Sequence, residues 1–132
     1  MIRTVVLADD SATARMIIRR CLEIGGLSNV KYYEARDGVE ALDYVKNEEV
    51  DLVVTDLNMP NMDGQTLLEH IKSSPRLTEL PVLVVSGASN KTVETELLAN
   101  GALAVINKPV TPSGIVEALA SLTEDEEDFG WG

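Results

Sequence analysis

Asp9, Asp10, Asp56, Ser86 and Lys108 are the residues of this chain whose types could do chemistry together, because each lies at the end of a short apolar run. Those runs, residues 5–8, 52–55, 82–85 and 102–106, read as buried parallel strands, apolar on both faces. Parallel strands put their carboxyl ends on one edge of a sheet, so residues that follow four such runs converge however distant they are in sequence. Three carboxylates, a hydroxyl and an ammonium then share one crevice. Two carboxylates about 4 Å apart repel by roughly 4 kcal/mol at an effective dielectric of about 20, and a third adds to that. Such a cluster calls for a cation or a raised pKa.

A hard divalent ion with oxygen ligands, here Mg²⁺, meets that need, with Lys108 as a second, fixed positive charge. Magnesium typically takes only one or two protein carboxylates, keeps several waters and binds phosphate oxygens, which points to phosphoryl chemistry. One carboxylate is then the nucleophile and an aspartyl phosphate the product. Asp56 is the best placed, since it ends the central strand and enters loop 57–64, which is stiffened by Pro60 and able to offer a main-chain carbonyl to the metal. Taken singly, Asp9 and Asp10 could be helix N-caps, Ser86 a turn residue and Lys108 a solvated lysine. Five charge-complementary residues on one sheet edge form a far more specific pattern than any one of them.

The elements that must hold these residues alternate to about residue 122. Ser11 caps a first helix with Ile17, Ile18, Cys21, Leu22 and Ile24 on its apolar face, stopped at Gly25-Gly26. A weaker strand at residues 30–35 carries Lys31 and Glu34, as suits a sheet edge. Asp37-Gly38 opens a second helix with Val39, Leu42 and Val45 inward. A third, residues 64–73, turns Leu67, Leu68 and Ile71 inward, and a fourth, residues 91–100, does so with Val93, Leu97 and Leu98 before Gly101. The last helix spans residues 112–122. Five β-α units without internal repeats define a doubly wound α/β sandwich with a five-stranded parallel sheet. Right-handed crossovers covering both faces allow the flavodoxin-like order 2-1-3-4-5, whose switch point between strands 1 and 3 is the expected ligand crevice.

At 132 residues the chain reads as one domain, residues 1–122, followed by an acidic tail, residues 123–132, expected to be disordered in isolation. The plain reading is a solvated tail; Phe129 and Trp131, the chain's only Phe and only Trp, leave room for a docking motif. A net charge of -11 argues against nucleic acid as a ligand. The single cysteine, Cys21, excludes an internal disulfide and reads as a small core residue of the first helix. Neither a signal peptide nor a membrane span is legible, so the chain is expected in the cytoplasm. His70, and Met16, Met59 and Met62, carry no separate signal: the methionines read as core or loop packing.

The chain resembles the receiver domains of two-component response regulators, and among them the CheY-like single-domain proteins. The resemblance rests on Leu7-Ala8-Asp9-Asp10, on Thr55-Asp56 through Asp63-Gly64, on Pro81 through Ala88, and on Lys108-Pro109. It implies that Asp56 is the phosphoacceptor and that Asp10, Asp56 and the Asn58 main-chain carbonyl bind Mg²⁺ directly, with Asp9 helping through water. Ser86 would hydrogen-bond the phosphoryl group, Lys108 would pair with it, and the Lys108-Pro109 peptide would be cis. The implied partners are a histidine kinase or phosphotransfer domain and a downstream protein, the flagellar motor switch among the candidates. Phosphate sink and phosphorelay intermediate are alternative roles. In one place the chain departs from the pattern: Val105 stands where such domains commonly carry Tyr or Phe, so an aromatic switch is not expected. The switch is expected instead in loop 86–90, including Ala88 and Ser89, and in the start of the helix at Lys91.

Two rival classes have separate signatures. A haloacid-dehalogenase-like phosphatase also uses an Asp nucleophile on such a sheet but wants a second Asp two residues on, where this chain has Asn58. A degenerate receiver acting only as a binding module would lack part of the five-residue site. The chain is therefore expected to be no enzyme beyond its own phosphorylation and dephosphorylation.

Overall fold

Four runs rich in Val, Leu, Ile and Ala and a fifth, more polar run, Lys31–Ala35, form one parallel sheet in the computed structural model, which describes residues 1–87 and 90–122. The strands are β1 (Thr4–Ala8), β2 (Lys31–Ala35), β3 (Leu52–Asp56), β4 (Val82–Ser86) and β5 (Ala104–Asn107), and their order is β2-β1-β3-β4-β5. The helices are α1 (Ala12–Ile24), α2 (Gly38–Asn47), α3 (Gly64–Ser73), α4 (Lys91–Ala99) and α5 (Pro112–Ala118). One apolar cluster packs α2, α3 and α4 on the face that carries Val6, Val53, Val82 and Val84; a second packs α1 and α5 against Val5, Leu7, Val54, Leu83 and Val85. This is the expected doubly wound sandwich, with strands buried from both sides because helices cover both faces.

All five helices start from a side-chain cap. Ser11, Asp37, Asp63, Asn90 and Thr111 each accept a hydrogen bond from the main-chain N–H three residues on, at 2.8–3.2 Å. Because every helix begins where a strand has just ended, these caps fix the loops along the edge that bears the candidate site.

Several expectations need correction. Ile17 and Ile24 in α1, Val39 in α2 and Leu98 in α4 are exposed; inward positions belong to Ile18, Cys21 and Leu22, to Ala41, Leu42 and Val45, and to Leu97. In these three helices the inward arc is narrower than the apolar stripe in the sequence, whereas in α3 Leu67, Leu68 and Ile71 are all buried as expected. Met16 is also exposed, whereas Met59 and Met62 pack against the core as expected. β5 begins at Ala104 rather than at residue 102, and it is an edge strand of intermediate burial, since only β4 flanks it. The regular part of α5 ends at Ala118, with Leu119 as its C-cap before a further helical turn at residues 120–122. Cys21 is buried, its thiol donating to Val110 O at 3.4 Å. No helix among the described residues is long and apolar enough to cross a membrane.

Candidate functional site

β1, β3 and β4 are paired in register, with Ala8 opposite Thr55 and Asp56 opposite Val85, so their carboxyl ends lie side by side. β4 and β5 add Ser86 opposite Asn107, immediately before Lys108. The five sequence-derived residues are therefore brought to one edge. One carboxylate oxygen each of Asp9, Asp10 and Asp56 lies within 4.8 Å of the other two. Asp9 and Asp56 are almost fully buried, at 1% and 6% exposure, and Ser86 is fully so, whereas Asp10 is exposed. Asn58 is exposed in the loop that follows β3.

Lys108 reaches into this cluster from the β5 side. Its Nζ donates to Asp9 Oδ2 at 3.1 Å and lies 3.6 Å from Asp56 Oδ1. The Lys108-Pro109 peptide is cis, and Lys108 N donates to Ser86 O at 2.9 Å. Asp9 also accepts from Ser11 N through Oδ1 at 2.9 Å, so both its oxygens are engaged. Asp56 Oδ1 accepts from Leu57 N at 2.9 Å.

Burial, and then the charge of Asp9, push the Asp56 carboxyl above the ordinary carboxylate range; Lys108 and the Leu57 N–H pull the other way without cancelling them. For Lys108, burial opposes the charged form, but the hydrogen bond to Asp9 and the charges of Asp56 and Asp9 outweigh it and raise its pKa. The cleft thus holds more negative charge than one ammonium offsets. An all-oxygen donor set with surplus negative charge suits a hard cation of the Mg²⁺ type, and a transition-metal site would want His or Cys.

Several supporting residues were missed by sequence reasoning. Arg15 Nη1 donates to Asp9 O at 2.6 Å while its Nε pairs with Glu34 at 3.1 Å, tying the β1–α1 turn to β2. Asp37 caps α2 and also accepts from Asn61 Nδ2 at 2.7 Å, and Gly38 N donates to Met62 O at 3.0 Å. These bonds hold the far half of the loop after Asp56 against the start of α2. Asn61 has φ 66, in the left-handed region that Asn tolerates better than most residues, and that was the one readable signal. Gly64 is required for close approach: a Cβ there would collide with the main-chain carbonyl of Asp56. His70 is exposed in the last turn of α3. Ala88 and Ser89 of the expected switch loop, and the whole of the 123–132 tail with Phe129 and Trp131, lie outside the described residues.

A doubly wound sheet with this acidic cluster, hydroxyl and lysine at its carboxyl edge defines a class of phosphoacceptor domains. The family described as Response regulator receiver domain matches residues 5–120. Chemotaxis protein CheY-3 of Vibrio cholerae is 35% identical over 120 residues, covering 91% of each chain. The chemotaxis protein CheY homolog of Campylobacter jejuni is 36% identical over 115 residues, 86% of this chain and 87% of that protein. The solved structure of Vibrio cholerae CheY4 superposes with a TM-score of 0.78 at 24% identity, over 92% of this chain and 98% of the other, a likeness of fold. The chain belongs to the response regulator receiver domain family, and with it to the phosphoacceptor switches of two-component signalling.

Proposed function

We propose that Asp56 is the residue that takes the phosphoryl group, from a phosphohistidine of a histidine kinase or phosphotransfer domain, and that the protein then signals by contact with another protein. The observation that carries this reading is the position of Asp56: it ends the central strand, nearly buried, with Lys108 3.6 Å away and two further aspartates in the same cluster. Leu57 N and Lys108 both address Oδ1, which leaves Oδ2 as the attacking oxygen. In the transfer, an O–P bond forms at Asp56 as the P–N bond of the donor breaks, and the departing imidazole keeps the electron pair and gains a proton from solvent. Mg²⁺, held by Asp10, Asp56 and the Asn58 carbonyl with Asp9 assisting, would neutralise charge on the phosphoryl oxygens. Lys108 supplies a fixed cation to the same oxygens, and the Ser86 hydroxyl a hydrogen bond.

CheY-3 of Vibrio cholerae and the CheY homolog of Campylobacter jejuni are both named chemotaxis proteins, which favours a chemotaxis-type output, with the flagellar motor switch as the kind of target. A phosphate sink or relay intermediate uses the same chemistry. Asn58 stands where a phosphatase of the haloacid dehalogenase type needs its general acid, which speaks against turnover of an external substrate. Such a switch works in the cytoplasm. Incubation with acetyl phosphate and Mg²⁺, followed by intact-mass measurement, tests the reading: a labile phosphoryl adduct is expected on the parent and none on Asp56→Asn. An adduct of equal amount on both would refute it.

A further inference from the structure

Asp9 and Asp10 lie just past the last residue of β1, and consecutive side chains of an extended chain point to opposite sides. Yet an oxygen of each carboxylate stands in the same cluster with Asp56. The chain therefore turns between them, and the orientation of one planar peptide, from the Asp9 carbonyl to the Asp10 nitrogen, decides where both carboxylates go. Asp9 is fixed from several sides: its N–H donates to Ala35 O at 3.1 Å, and its carboxylate accepts from Ser11 N and from Lys108. Asp10 is exposed, so its direction depends on the backbone on which it stands.

Arg15 holds that peptide. Helical side chains lean back toward the N-terminus, which lets a residue at the start of the second turn of α1 reach a carbonyl that precedes the Ser11 cap. Arg15 Nη1 donates to Asp9 O at 2.6 Å, a charge-assisted bond made by a side chain only 14% exposed. The guanidinium is oriented from its other side by Glu34, whose Oε1 accepts from Arg15 Nε at 3.1 Å. Glu34 Oε2 accepts from Arg19 Nη1, also at 3.1 Å, and the Arg19 guanidinium lies over the Tyr32 ring. The grip on the Asp9 carbonyl is thus anchored in β2, and Glu34 offsets the positive charge that a cation in the cleft would otherwise meet.

We propose that Arg15 is a positioning residue for metal binding: by fixing the Asp9 carbonyl it sets the turn that aims the Asp10 carboxylate into the cluster. The inference deepens, and rests on, the reading of Asp10 as a direct Mg²⁺ ligand. Arg15 acts through the peptide and not by contact with the ion, and its effect has a sign that charge alone cannot produce. Taking a cation away from beside an acidic cluster strengthens the Coulomb attraction for a divalent ion. Losing the turn weakens binding instead.

Calorimetric titration of the full chain with Mg²⁺ tests this. Arg15→Met keeps the stem and removes the donors, and it should bind Mg²⁺ about tenfold more weakly, as is typical when a group that orients a metal ligand is lost. Arg15→Lys can still donate to Asp9 O and should recover most of the affinity. Both replacements are good helix formers, so α1 is retained. In the metal-free protein the amide nitrogen shift of Asp10, which responds to hydrogen bonding at the preceding carbonyl, should move in Arg15→Met and return toward the parent value in Arg15→Lys. Unchanged or tighter binding by Arg15→Met, beside a loss in Asp10→Ala, would overturn this inference and leave the metal site standing. Affinity kept by both variants would overturn the assignment of Asp10 and this inference with it. Equal losses in Arg15→Met and Arg15→Lys would assign the effect to packing and overturn it as well.

Discussion

The Lys108 ammonium rests 3.1 Å from Oδ2 of Asp9, a carboxylate only 1% exposed and 99 residues away in sequence. This pair sets the charge state of the cleft before any phosphoryl group arrives. It commits the Lys108 ammonium to Asp9 first and to Asp56, at 3.6 Å, second.

Lys108→Ala leaves Asp9 buried with a hydrogen bond from Ser11 N and no cation. Stability at neutral pH should fall by about 1–3 kcal/mol, as for loss of a hydrogen bond between charged groups. The folded-state pKa of Lys108 is raised above its usual 10.5, so the stabilisation is fully present below that value and is lost as pH rises through the raised pKa. Urea unfolding from pH 7 upward should therefore show the gap between parent and variant closing at the alkaline end. A gap constant with pH would assign the effect to packing instead. Phosphorylation of Lys108→Ala by acetyl phosphate should persist, with the response of the protein surface impaired.

Asp56→Asn should abolish the phosphoryl adduct and stabilise the metal-free protein. The Asp56 pKa is raised from its usual 3.8 by burial and by Asp9, so the folded state holds this proton more tightly than the unfolded chain does. Its contribution to stability consequently falls as pH rises from 3.8 through the raised value. The advantage of Asn should grow across that window and level off above it. A variant less stable than the parent at pH 7 without metal would contradict this account of the cleft.

Asp10 and Asp9 should respond differently to substitution. Asp10 is exposed, whereas Asp9 accepts from Ser11 N and Lys108 and carries Arg15 on its carbonyl. Asp10→Ala should lose Mg²⁺ binding with little change in metal-free stability; Asp9→Ala should lose both. For the parent, Mg²⁺ at ten times its dissociation constant should add about 1.4 kcal/mol, a gain that chelation reverses. Calorimetric titration and thermal melts with and without chelator check each part, and unchanged affinity in Asp10→Ala would rule Asp10 out as a ligand.

Val105→Tyr should leave adduct formation largely intact and change affinity for the partner. Val105 lies on the edge strand opposite Val84, half-buried, and has too little area for its rotation to act as a two-state element. Amide shifts on beryllofluoride treatment should then concentrate at residues 86–98. A response confined to Asp9, Asp10, Asp56 and Asn58 would exclude a switch in that segment.

The fold was legible because its signal is local. Each apolar run is bounded by a turn or capping residue, and Ser11, Asp37, Gly101 and Pro112 mark helix ends where the structure has them. The errors lie where burial depends on neighbours. A heptad-like stripe shows that Ile17, Ile24, Val39 and Leu98 are apolar, but it cannot show that the sheet is too narrow to cover them. Likewise the run that forms β5 looks like the others, yet one face of its ladder has no partner strand.

At the site, the sequence alone determined which five residues meet, because a parallel sheet sends every strand's carboxyl end to the same edge. Only the tertiary structure decided how they divide the work. Two adjacent aspartates are equivalent as letters, yet Asp9 is buried against Lys108 and Asp10 faces solvent. The clamps by Arg15 on the Asp9 carbonyl and by Asn61 on Asp37 join separate loops, and a hydrogen bond between loops leaves no trace in the spacing of either. Those distances, and with them the raised pKa of Asp56, exist only once the strands are paired, since desolvation and Coulomb energy depend on where the charges stand in space.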